Sequence, residues 1–454
     1  MKRKPVEIIV SALEDSFQSI SSYRLQFSEF VPAYEAAIHA GLRRFEHGGR
    51  YRSIDFWSGE SPFDSMRAMR SLLGRDATIM STGRSKDVLG TKTQPSDIIA
   101  LYARLMSKYG IDVVRNLDPL NDAENFVRPG QCLQEKGIGH EVVILLSAQP
   151  LAGSDYSKVP IHMPEHYREL LIRVLNSGVP LQSVAFLDPF GMSLPGTIQQ
   201  IIQVSRQLLP PEVAISFQTN NRSGPSTLSY LAAIEGGADA VGLSLGSAPG
   251  GMNRPEMSLI SRALRPKEQR LMVDAIRLEE VEKVFRECAK KHVERIREED
   301  ARGVEEESGL TGAEGLPHKK LDGEAINRYS NLVREMNDVV EFGGFAVPVR
   351  PISEFYFEQA MLNVQLRPWE RIDPNYAKLI LGYFGKTPVK PDPGIMAIAR
   401  GELKMGTSSI HPVERADLDP SKGIKAALTL LESSELPAKD ENILQAATSI
   451  HAIG

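Results

Sequence analysis

Six polar side chains lie near the ends of short apolar runs in the first half of the chain, and their types could do chemistry together. They are Asp15, Gln18, Glu46, Arg84, Asp118 and Asp188. Several carboxylates beside one arginine suit a small anionic ligand, and carboxylate oxygens also suit a hard divalent cation. These groups can act together only if the fold brings the ends of the apolar runs to one face.

A second group of candidates offers amides. In ISFQTNNRSG, residues 215–224, the buried-strand pattern of Ile215 and Phe217 leads into Gln218 and Asn220. An amide both donates and accepts hydrogen bonds, but it does not titrate near pH 7. We therefore expect this stretch to line a pocket that hydrogen-bonds a neutral or anionic ligand.

Several candidates also have a purely structural interpretation. Asp118 and Asp188 precede predicted helices, where an aspartate caps the helix about as often as it acts in catalysis. Glu46 could simply pair with a nearby arginine. His47 has no partner at metal-ligand spacing, so we expect a structural role for it. The sequence leaves both interpretations of the carboxylates open.

The elements that must position these residues recur regularly. Eight apolar runs start at intervals of 27 to 42 residues, which leaves room for one strand, one helix and two loops each time. The runs begin at Val6, Arg43, Ala77, Asp112, Glu141, Ser183, Val213 and Ala240. The pattern predicts an α/β fold, a parallel (βα)₈ TIM barrel whose catalytic groups stand at the carboxyl ends of its strands. A doubly wound open sheet is the alternative, but the glycine-rich phosphate loop expected after its first strand is absent.

From about residue 265 the chain becomes charged and its periodicity helical. We predict a barrel domain over residues 1–264, a mainly helical C-terminal domain over 265–435, and a loose tail over 436–454. The helical domain contains segments such as NRYSNLVREMNDVV and ISEFYFEQAMLNVQL. The two parts together predict a barrel that carries a helical appendage.

Composition excludes several classes of protein. The net charge is −5 over 454 residues, without the basic excess that a nucleic-acid partner requires. Cys132 and Cys288 are the only cysteines, which favours a reducing, cytoplasmic setting over a disulfide framework. The apolar run near the N-terminus is broken by Glu14 and Asp15, so we expect neither a signal peptide nor a transmembrane segment.

Segments along most of the chain also carry a family resemblance, in the right order. SALEDSFQS resembles TTLRDAHQS, RFEHGG resembles LEVWGG, GRSKDVLG resembles LRGQNLLG, and YGIDVVRNLDPLNDAEN resembles NGIDVFRIFDALNDVRN. LDPFGMSLP resembles KDMAGLLTP, and SGPSTLSYLAAIEGGADAV resembles SGLAPMTYLKAIEAGVDII. These motifs are similar to those of the carboxyltransferase domain of pyruvate carboxylase, the oxaloacetate decarboxylase α subunit and the transcarboxylase subunit. The resemblance implies a TIM barrel followed by a helical funnel domain.

The resemblance also implies a chemistry. In that family a divalent metal at the barrel mouth polarises the keto group of the substrate. The metal is held by an aspartate after the first strand, a carbamylated lysine and a His-x-His pair. Biotin on a separate carrier chain brings the carboxyl group, arginines hold the substrate carboxylate, and a threonine of the helical domain moves a proton.

Some of these positions are kept. Asp15 matches the first metal ligand, Gln18 matches a family glutamine, and Arg84 matches one substrate arginine. The threonine falls on Arg350. Arg84 and Arg350 could take over part of the positive charge of the metal as preorganised electrostatic stabilisers. The resemblance therefore predicts catalytic roles for Arg84, Arg350 and Gln18.

The other metal ligands are replaced. Leu187 takes the place of the carbamylated lysine, and Gln218 and Asn220 take the places of the two histidines. Three of the four family ligands are thus lost, and only Asp15 remains as a metal ligand. The resemblance predicts a degenerate metal site and a pocket that binds the substrate through Asp15, Gln18, Arg84, Asp118, Asp188, Gln218 and Asn220.

Three functions follow as hypotheses. The first is a divergent biotin-dependent carboxyltransferase subunit that partners a biotin carrier protein and a biotin carboxylase. The second is a non-catalytic scaffold or regulatory subunit that pairs with an active carboxyltransferase homologue, as a homo- or hetero-dimer or a larger assembly. A different lyase chemistry ranks last, since it too needs the His-x-His pair. We expect biotin to come on another chain, because GELKMG around Lys404 lacks the surroundings of a carrier domain.

Overall fold

The computed structural model describes residues 4–12, 26–47, 61–146, 161, 163–220, 226–245, 254–265, 269–301 and 323–448. Eight strands in these ranges pair in parallel and in chain order, and β8 closes on β1 with Glu7 opposite Ala240. The strands are β1 Glu7–Val10, β2 Arg44–Glu46, β3 Thr78–Gly83, β4 Val113–Leu117, β5 Gly139–Leu145, β6 Ser183–Asp188, β7 Ala214–Thr219 and β8 Ala240–Leu243. The predicted parallel barrel is confirmed.

Within the described ranges, a helix of at least eight residues follows each strand. These helices are α1 Phe27–Ala40, α2 Pro62–Leu73, α3 Ser96–Lys108, α4 Ala123–Glu135, α5 Pro164–Asn176, α6 Pro195–Leu208, α7 Ser226–Gly236 and α8 Met257–Leu264. α1 shows why they end where they do. Gly41 has a φ of 99°, which a glycine adopts without strain, and its N–H donates to the carbonyls of Ala37 and Ile38.

The barrel interior is built in layers, because alternate residues of each strand point inward. In β4 the inward residues are Val113, Arg115 and Leu117. The layer nearest the amino ends of the strands is apolar and consists of Ile9, Met80, Val113 and Ala240. The next layer contains Arg115 and is polar, and the layer at the carboxyl ends is partly apolar again. This order places a buried charged layer directly beneath the barrel mouth.

The ninth helix belongs to the barrel. α9 (Ala275–Ala301) packs along α1, with Phe30 and Phe285 ring centroids 5.3 Å apart and Leu278 fully buried. Arg295 and His292 bind the Glu29 carboxylate over 2.7 and 2.8 Å. The boundary predicted at residue 265 is therefore too early, because the charged face of this amphipathic helix masked its apolar face.

A second core lies in the helices that follow. α10 Gly323–Phe342, α11 Ile352–Gln365, α12 Pro374–Ile380 and α13 Pro393–Leu403 surround fully buried Val339, Tyr356 and Tyr376. The two tyrosine hydroxyls donate to the carbonyls of Ala346 and Val339, over 3.2 and 2.9 Å. Leu120, from the loop after β4, packs in this core as well. The helical domain is thus joined to the barrel at the end of β4.

The last helices return to the barrel. α14 Pro412–Asp417, α15 Gly423–Ser433 and α16 Asp440–Thr448 pack beside α3, and Leu444 is fully buried. The Asp417 carboxylate accepts from the backbone N–H of Ser96 over 2.6 Å, at the start of α3. The prediction of a loose tail over 436–454 is wrong for residues 440–448, because tertiary packing orders this polar segment as a helix. Residues 449–454 lie outside the described ranges.

Candidate active site at the barrel mouth

Arg115 organises the charged layer inside the barrel. Its Nε donates to Glu141 over 2.5 Å, and its Nη1 donates to Glu46 over 3.1 Å and to the amide oxygen of Gln218 over 2.6 Å. None of these four residues is more than 2% exposed. The partners come from β2, β5 and β7, so the guanidinium ties together strands on different sides of the barrel.

Glu46 is the second centre of this layer. It accepts from Thr82 over 2.9 Å, and the Arg254 guanidinium lies 4.0 Å away. Burial alone would raise the pKa of the Glu46 carboxyl, but Arg115 and Arg254 hold it below its ordinary value. With Glu141, two carboxylates and two guanidiniums balance one another, as buried charges require.

Gln218 is fixed inside this layer. Its amide oxygen accepts from Arg115, and its Nε2 donates to Glu46 over 3.3 Å and to Ser11 over 3.4 Å. A Cβ on Gly242, on the neighbouring strand, would lie 2.9 Å from the Gln218 Cδ, so glycine leaves room for the side chain. These internal contacts tie Gln218 to Arg115 and Glu46, and the substrate contact expected of Gln218 stays a prediction.

Leu187 packs in an apolar cluster at the carboxyl ends of β4, β5 and β6. Two residues of the helical domain, Val347 and Val349, pack against it. The barrel members are Leu117, Val143, Leu145, Ala185 and Leu187. These side chains contain only carbon and hydrogen, so they offer no atom that could bind a metal or form a hydrogen bond with a substrate.

The residues present do not fit the metal that the family resemblance implies. Leu187 has no ligand atom, and the Gln218 oxygen already accepts from a guanidinium that would repel a divalent cation. In the described ranges, no group of three or more His, Cys, Asp or Glu side chains could hold a metal ion. Asp15 and Gln18 lie outside these ranges, so their predicted roles concern residues that the structure does not describe.

Asn220 and Asp188 fix the loops at the carboxyl ends of β6 and β7. The Asn220 Nδ2 donates to the carbonyl of Pro189 over 2.9 Å, and the residue is 5% exposed. The Asp188 carboxylate accepts from the N–H groups of Gly191 and Ser193, each over 2.9 Å. For Asp188 the geometry thus shows a capping role, and the predicted substrate contact stays a prediction.

Asp118 has the same capping role at the end of β4. Its carboxylate accepts from the backbone N–H of Asp122 over 3.0 Å and from the Asn125 side chain over 3.2 Å, with the Lys86 ammonium 3.6 Å away. Burial raises the pKa of the Asp118 carboxyl to about 6, although Lys86 and the N–H of Asp122 favour the charged form. The carboxylate is thus fully engaged by its own loop and by Lys86.

Arg84 also lies at the barrel mouth, and its predicted catalytic and substrate-binding role stays a prediction. It follows β3, is 4% exposed, and donates through Nη2 to the carbonyl of Arg350. The Arg350 side chain, just before α11, instead pairs with Glu354 and is 43% exposed. The two arginines therefore differ, because Arg84 is buried at the barrel while the Arg350 guanidinium is partly exposed.

Sequence reasoning missed four charged residues of this region, one of which is Glu141 in β5. Arg115 lies within VVRNL, Lys86 within GRSKDVLG, and Arg254 just before α8. A charge inside an apolar strand was the available signal for Arg115, since such a charge needs buried partners. His47 takes the structural role expected of it, with its Nε2 2.6 Å from the Ser65 hydroxyl.

The architecture is a closed parallel barrel with a polar layer under its mouth, followed by a helical domain joined to the barrel at β4. Residues 319–448 match the family model described as "Conserved carboxylase domain". The chain is 22% identical over 434 residues to the methylmalonyl-CoA carboxyltransferase 5S subunit of Propionibacterium freudenreichii subsp. shermanii, covering 94% of this chain and 83% of that one. The resemblance predicted from the motifs is confirmed: the chain is similar to these carboxyltransferases.

Two further comparisons agree with this relationship. The chain is 21% identical over 440 residues to the 2-oxoglutarate carboxylase large subunit of Hydrogenobacter thermophilus, covering 93% of this chain and 64% of that one. The carboxyl transferase domain of Rhizobium etli pyruvate carboxylase, solved with pyruvate, matches 98% of this chain and 75% of that chain, with a TM-score of 0.75 and 18% identity. At that identity the solved structure supports the fold.

Proposed function

We propose that this protein is the carboxyltransferase-type subunit of a biotin-dependent assembly, moving a carboxyl group between carrier-bound biotin and a small acid or ester. In such a transfer the carbon–nitrogen bond of carboxylated biotin breaks and a carbon–carbon bond to the acceptor forms. The proton lost from the acceptor carbon passes to the ureido nitrogen of biotin. The names of the relatives, a methylmalonyl-CoA carboxyltransferase subunit and a 2-oxoglutarate carboxylase large subunit, support this class of reaction.

The observation that carries the proposal is the buried position of Arg84. A guanidinium that is 4% exposed at the carboxyl end of a barrel strand is a preorganised cation for a carboxylate, and it lies where the family resemblance predicts a substrate arginine. Beneath it lies the charge-balanced layer of Arg115 and Glu46. Asp15 and Gln18 stay proposed members of this site from their sequence match alone.

The role of Arg84 is tested by ligand binding. Pyruvate, oxaloacetate and 2-oxoglutarate are titrated calorimetrically, in chelator, into the wild-type protein and into Arg84→Met and Arg67→Met. Arg67 is an exposed arginine paired with Asp64, and it serves as the matched control. Loss of a charge-assisted hydrogen bond of about 1.5–3 kcal/mol should weaken binding about 10- to 100-fold in Arg84→Met only. Equal affinities in all three proteins would exclude Arg84 from the site.

A second candidate function is a non-catalytic subunit that pairs with an active carboxyltransferase chain. The apolar cluster around Leu187 favours it, because the position of the predicted carbamylated lysine now contributes only packing. Purification of the protein from its native source separates the two candidates. A biotin carrier protein and a biotin carboxylase alone would favour catalysis, whereas a second carboxyltransferase chain with an intact lysine and His-x-His pair would favour the scaffold.

The assembly and its setting follow from the same proposal. Biotin would be attached to a separate carrier chain, and the subunit would work as a homo- or hetero-dimer or as part of a larger complex. No helix within the described part of the chain is long and apolar enough to cross a bilayer. Cys132 and Cys288 are buried free thiols, which supports a cytoplasmic location.

A further inference from the structure

The turn that carries Arg84 is strained. Residues 85–87 form a single 3₁₀ turn, with Ser85 at a φ of 50° and Val88 at a φ of 60°. A β-branched residue in the left-handed region is costly, and such a conformation persists only where the surroundings impose it. Within the turn, Arg84 N–H donates to Val88 O over 2.8 Å and Asp87 N–H donates to Arg84 O over 2.9 Å. What imposes this conformation therefore also sets the position of Arg84.

The surroundings that hold the turn come from the end of β4 and the start of α4. The Ser85 N–H donates to the Asn116 Oδ1 over 3.3 Å, and the Ser85 hydroxyl donates to the carbonyl of Asn125. Lys86 is 3% exposed and lies 3.1 Å from the Asp87 carboxylate and 3.6 Å from the Asp118 carboxylate. The turn is therefore fastened through its backbone and through the buried ammonium of Lys86.

Asn125 and Asp122 connect this fastening to the helical domain. The Asn125 Nδ2 donates to the Asp118 carboxylate over 3.2 Å and to the carbonyl of Phe384 over 3.1 Å. Asp122 gives its N–H to Asp118 over 3.0 Å and accepts from the N–H of Lys386 over 2.7 Å. One turn of the helical domain, residues 384–386, thus contacts both Asn125 and Asp122, and each of these hydrogen-bonds to Asp118.

Gly385 lets the backbone of residues 384–386 lie close to the side chains of Asn125 and Asp122. Its φ is 117°, and a Cβ placed there would lie 2.7 Å from the Asn125 Nδ2 and 2.8 Å from the Asp122 Oδ2. Any side chain at this position would therefore push the helical domain away from Asn125 and Asp122 or distort them. Gly401, in α13 of the same domain, has nothing within 4 Å of its Cβ position and provides a control for adding a methyl group to this domain.

We propose that Asn125 and Gly385 are positioning residues, through which docking of the helical domain holds the strained turn 84–88 and so the Arg84 guanidinium. The inference deepens the proposed function, because Arg84 is the cation proposed to bind the substrate carboxylate. It implies that the site forms fully only when turn 384–386 is seated on α4. It also gives a physical reason for joining a helical domain to this barrel at β4.

Hydrogen exchange measured by mass spectrometry tests the proposal without any ligand. A peptide covering residues 82–94 reports amides bonded to the turn, including those of Arg84, Asp87, Val88 and Gln94. In Gly385→Ala this peptide should exchange about tenfold faster or more, although the substitution lies in the other domain. Gly401→Ala should leave it unchanged. Asn125→Leu, which removes the bridge from the barrel side, should reproduce the effect and serves if Gly385→Ala does not fold.

The outcomes separate this proposal from the proposed function. Faster exchange of residues 84–94 in Gly385→Ala or Asn125→Leu, with the variant folded like the wild-type protein, supports the coupling. This result supports it even if the wild-type protein binds no 2-oxo acid and the proposed function fails. Where the wild-type protein does bind one, its affinity should fall in the same variants. Faster exchange confined to residues 122–126 and 382–388, with residues 84–94 unchanged in both variants, would overturn the coupling. Equal effects of Gly385→Ala and Gly401→Ala would overturn it as well.

Discussion

The Arg115 guanidinium donates to the amide oxygen of Gln218 over 2.6 Å inside the closed barrel. The oxygen that would have to bind a metal therefore accepts from a fixed cation. The same guanidinium pairs with Glu46 and Glu141, and Arg254 supplies the second positive charge, so the charges of the layer balance from side chains alone. The barrel thus keeps a buried charged layer. This layer lies directly beneath the position at which the family resemblance predicts metal chemistry.

Gln218 should matter for stability through this layer. Gln218→Leu removes the acceptor for Arg115 and the donor to Glu46, and leaves both groups buried with one partner fewer. The free energy of unfolding should fall by about 1–3 kcal/mol. Gln203→Leu, at an exposed position of α6, should stay within about 0.5 kcal/mol of wild type. Urea unfolding measures both, and equal stabilities of the two variants would contradict this role.

Leu187 should behave as a packing residue. Leu187→Met keeps an apolar side chain of similar volume and should cost less than about 1.5 kcal/mol of unfolding free energy. Leu187→Lys places an ammonium among Leu117, Val143 and Val347, and should cost at least about 3 kcal/mol. Restoring a lysine should also fail to restore metal binding in elemental analysis after challenge with Mn²⁺, Zn²⁺ and Mg²⁺. One equivalent of bound metal in Leu187→Lys would show that the site needs only this residue.

The C-terminal helix should contribute to barrel stability. Leu444 is fully buried beside α3, whereas Leu418 is 75% exposed. Leu444→Ala should lower the free energy of unfolding by about 2–5 kcal/mol because it leaves a cavity. Leu418→Ala, the matched control, should change it by less than about 0.5 kcal/mol. A Leu444→Ala variant as stable as the control would mean that α16 does not pack on the barrel in solution.

His140 should make the protein sensitive to mild acid. Its Nδ1 lies 2.7 Å from the carbonyl of Pro180, and burial lowers the pKa of the imidazole from 6.5 to about 4. Between these two values the unfolded chain binds a proton that the folded chain does not. The contribution of neutral His140 to the free energy of unfolding is therefore complete above pH 6.5. It declines by about 3 kcal/mol in total as the pH falls to about 4.

The measurement for His140 is the difference in unfolding free energy between the wild-type protein and His140→Gln, followed by urea titrations from pH 7.5 to 4.5. The difference should shrink as the pH falls, since only the wild-type protein loses this contribution. A difference that is constant across the range would show that the folded protein binds the proton as readily as the unfolded chain.

The barrel could be predicted from the sequence because its signal is local. Each strand is an apolar run, each helix carries its own period, and the spacing between runs fixes the unit. The α9 boundary and the ordering of residues 440–448 could not be predicted in this way. Both depend on which distant surface an amphipathic segment packs against, as Phe285 packs against Phe30.

The candidate site was predicted in part for the same reason. The position of Arg84 follows from the end of a strand, whereas the partners of Arg115 come from β2, β5 and β7 and become neighbours only on barrel closure. The sequence left Asp118 and Asp188 with two roles, and only the backbone of their loops distinguishes capping from substrate binding. Side-chain direction at the mouth thus depends on tertiary contacts that spacing alone does not specify.

The central claim is tested most directly by carboxyl transfer itself. The purified protein is incubated, in chelator, with its biotin carrier carrying a ¹⁴C-labelled carboxyl group and with pyruvate, 2-oxoglutarate or another small acid. The account predicts label in a stable acid product, with transfer that requires the carrier, is lost in Arg84→Met and persists in Arg67→Met. Label that never leaves the carrier for an acceptor, with wild type and Arg84→Met alike, would contradict a catalytic role and leave the scaffold as the function.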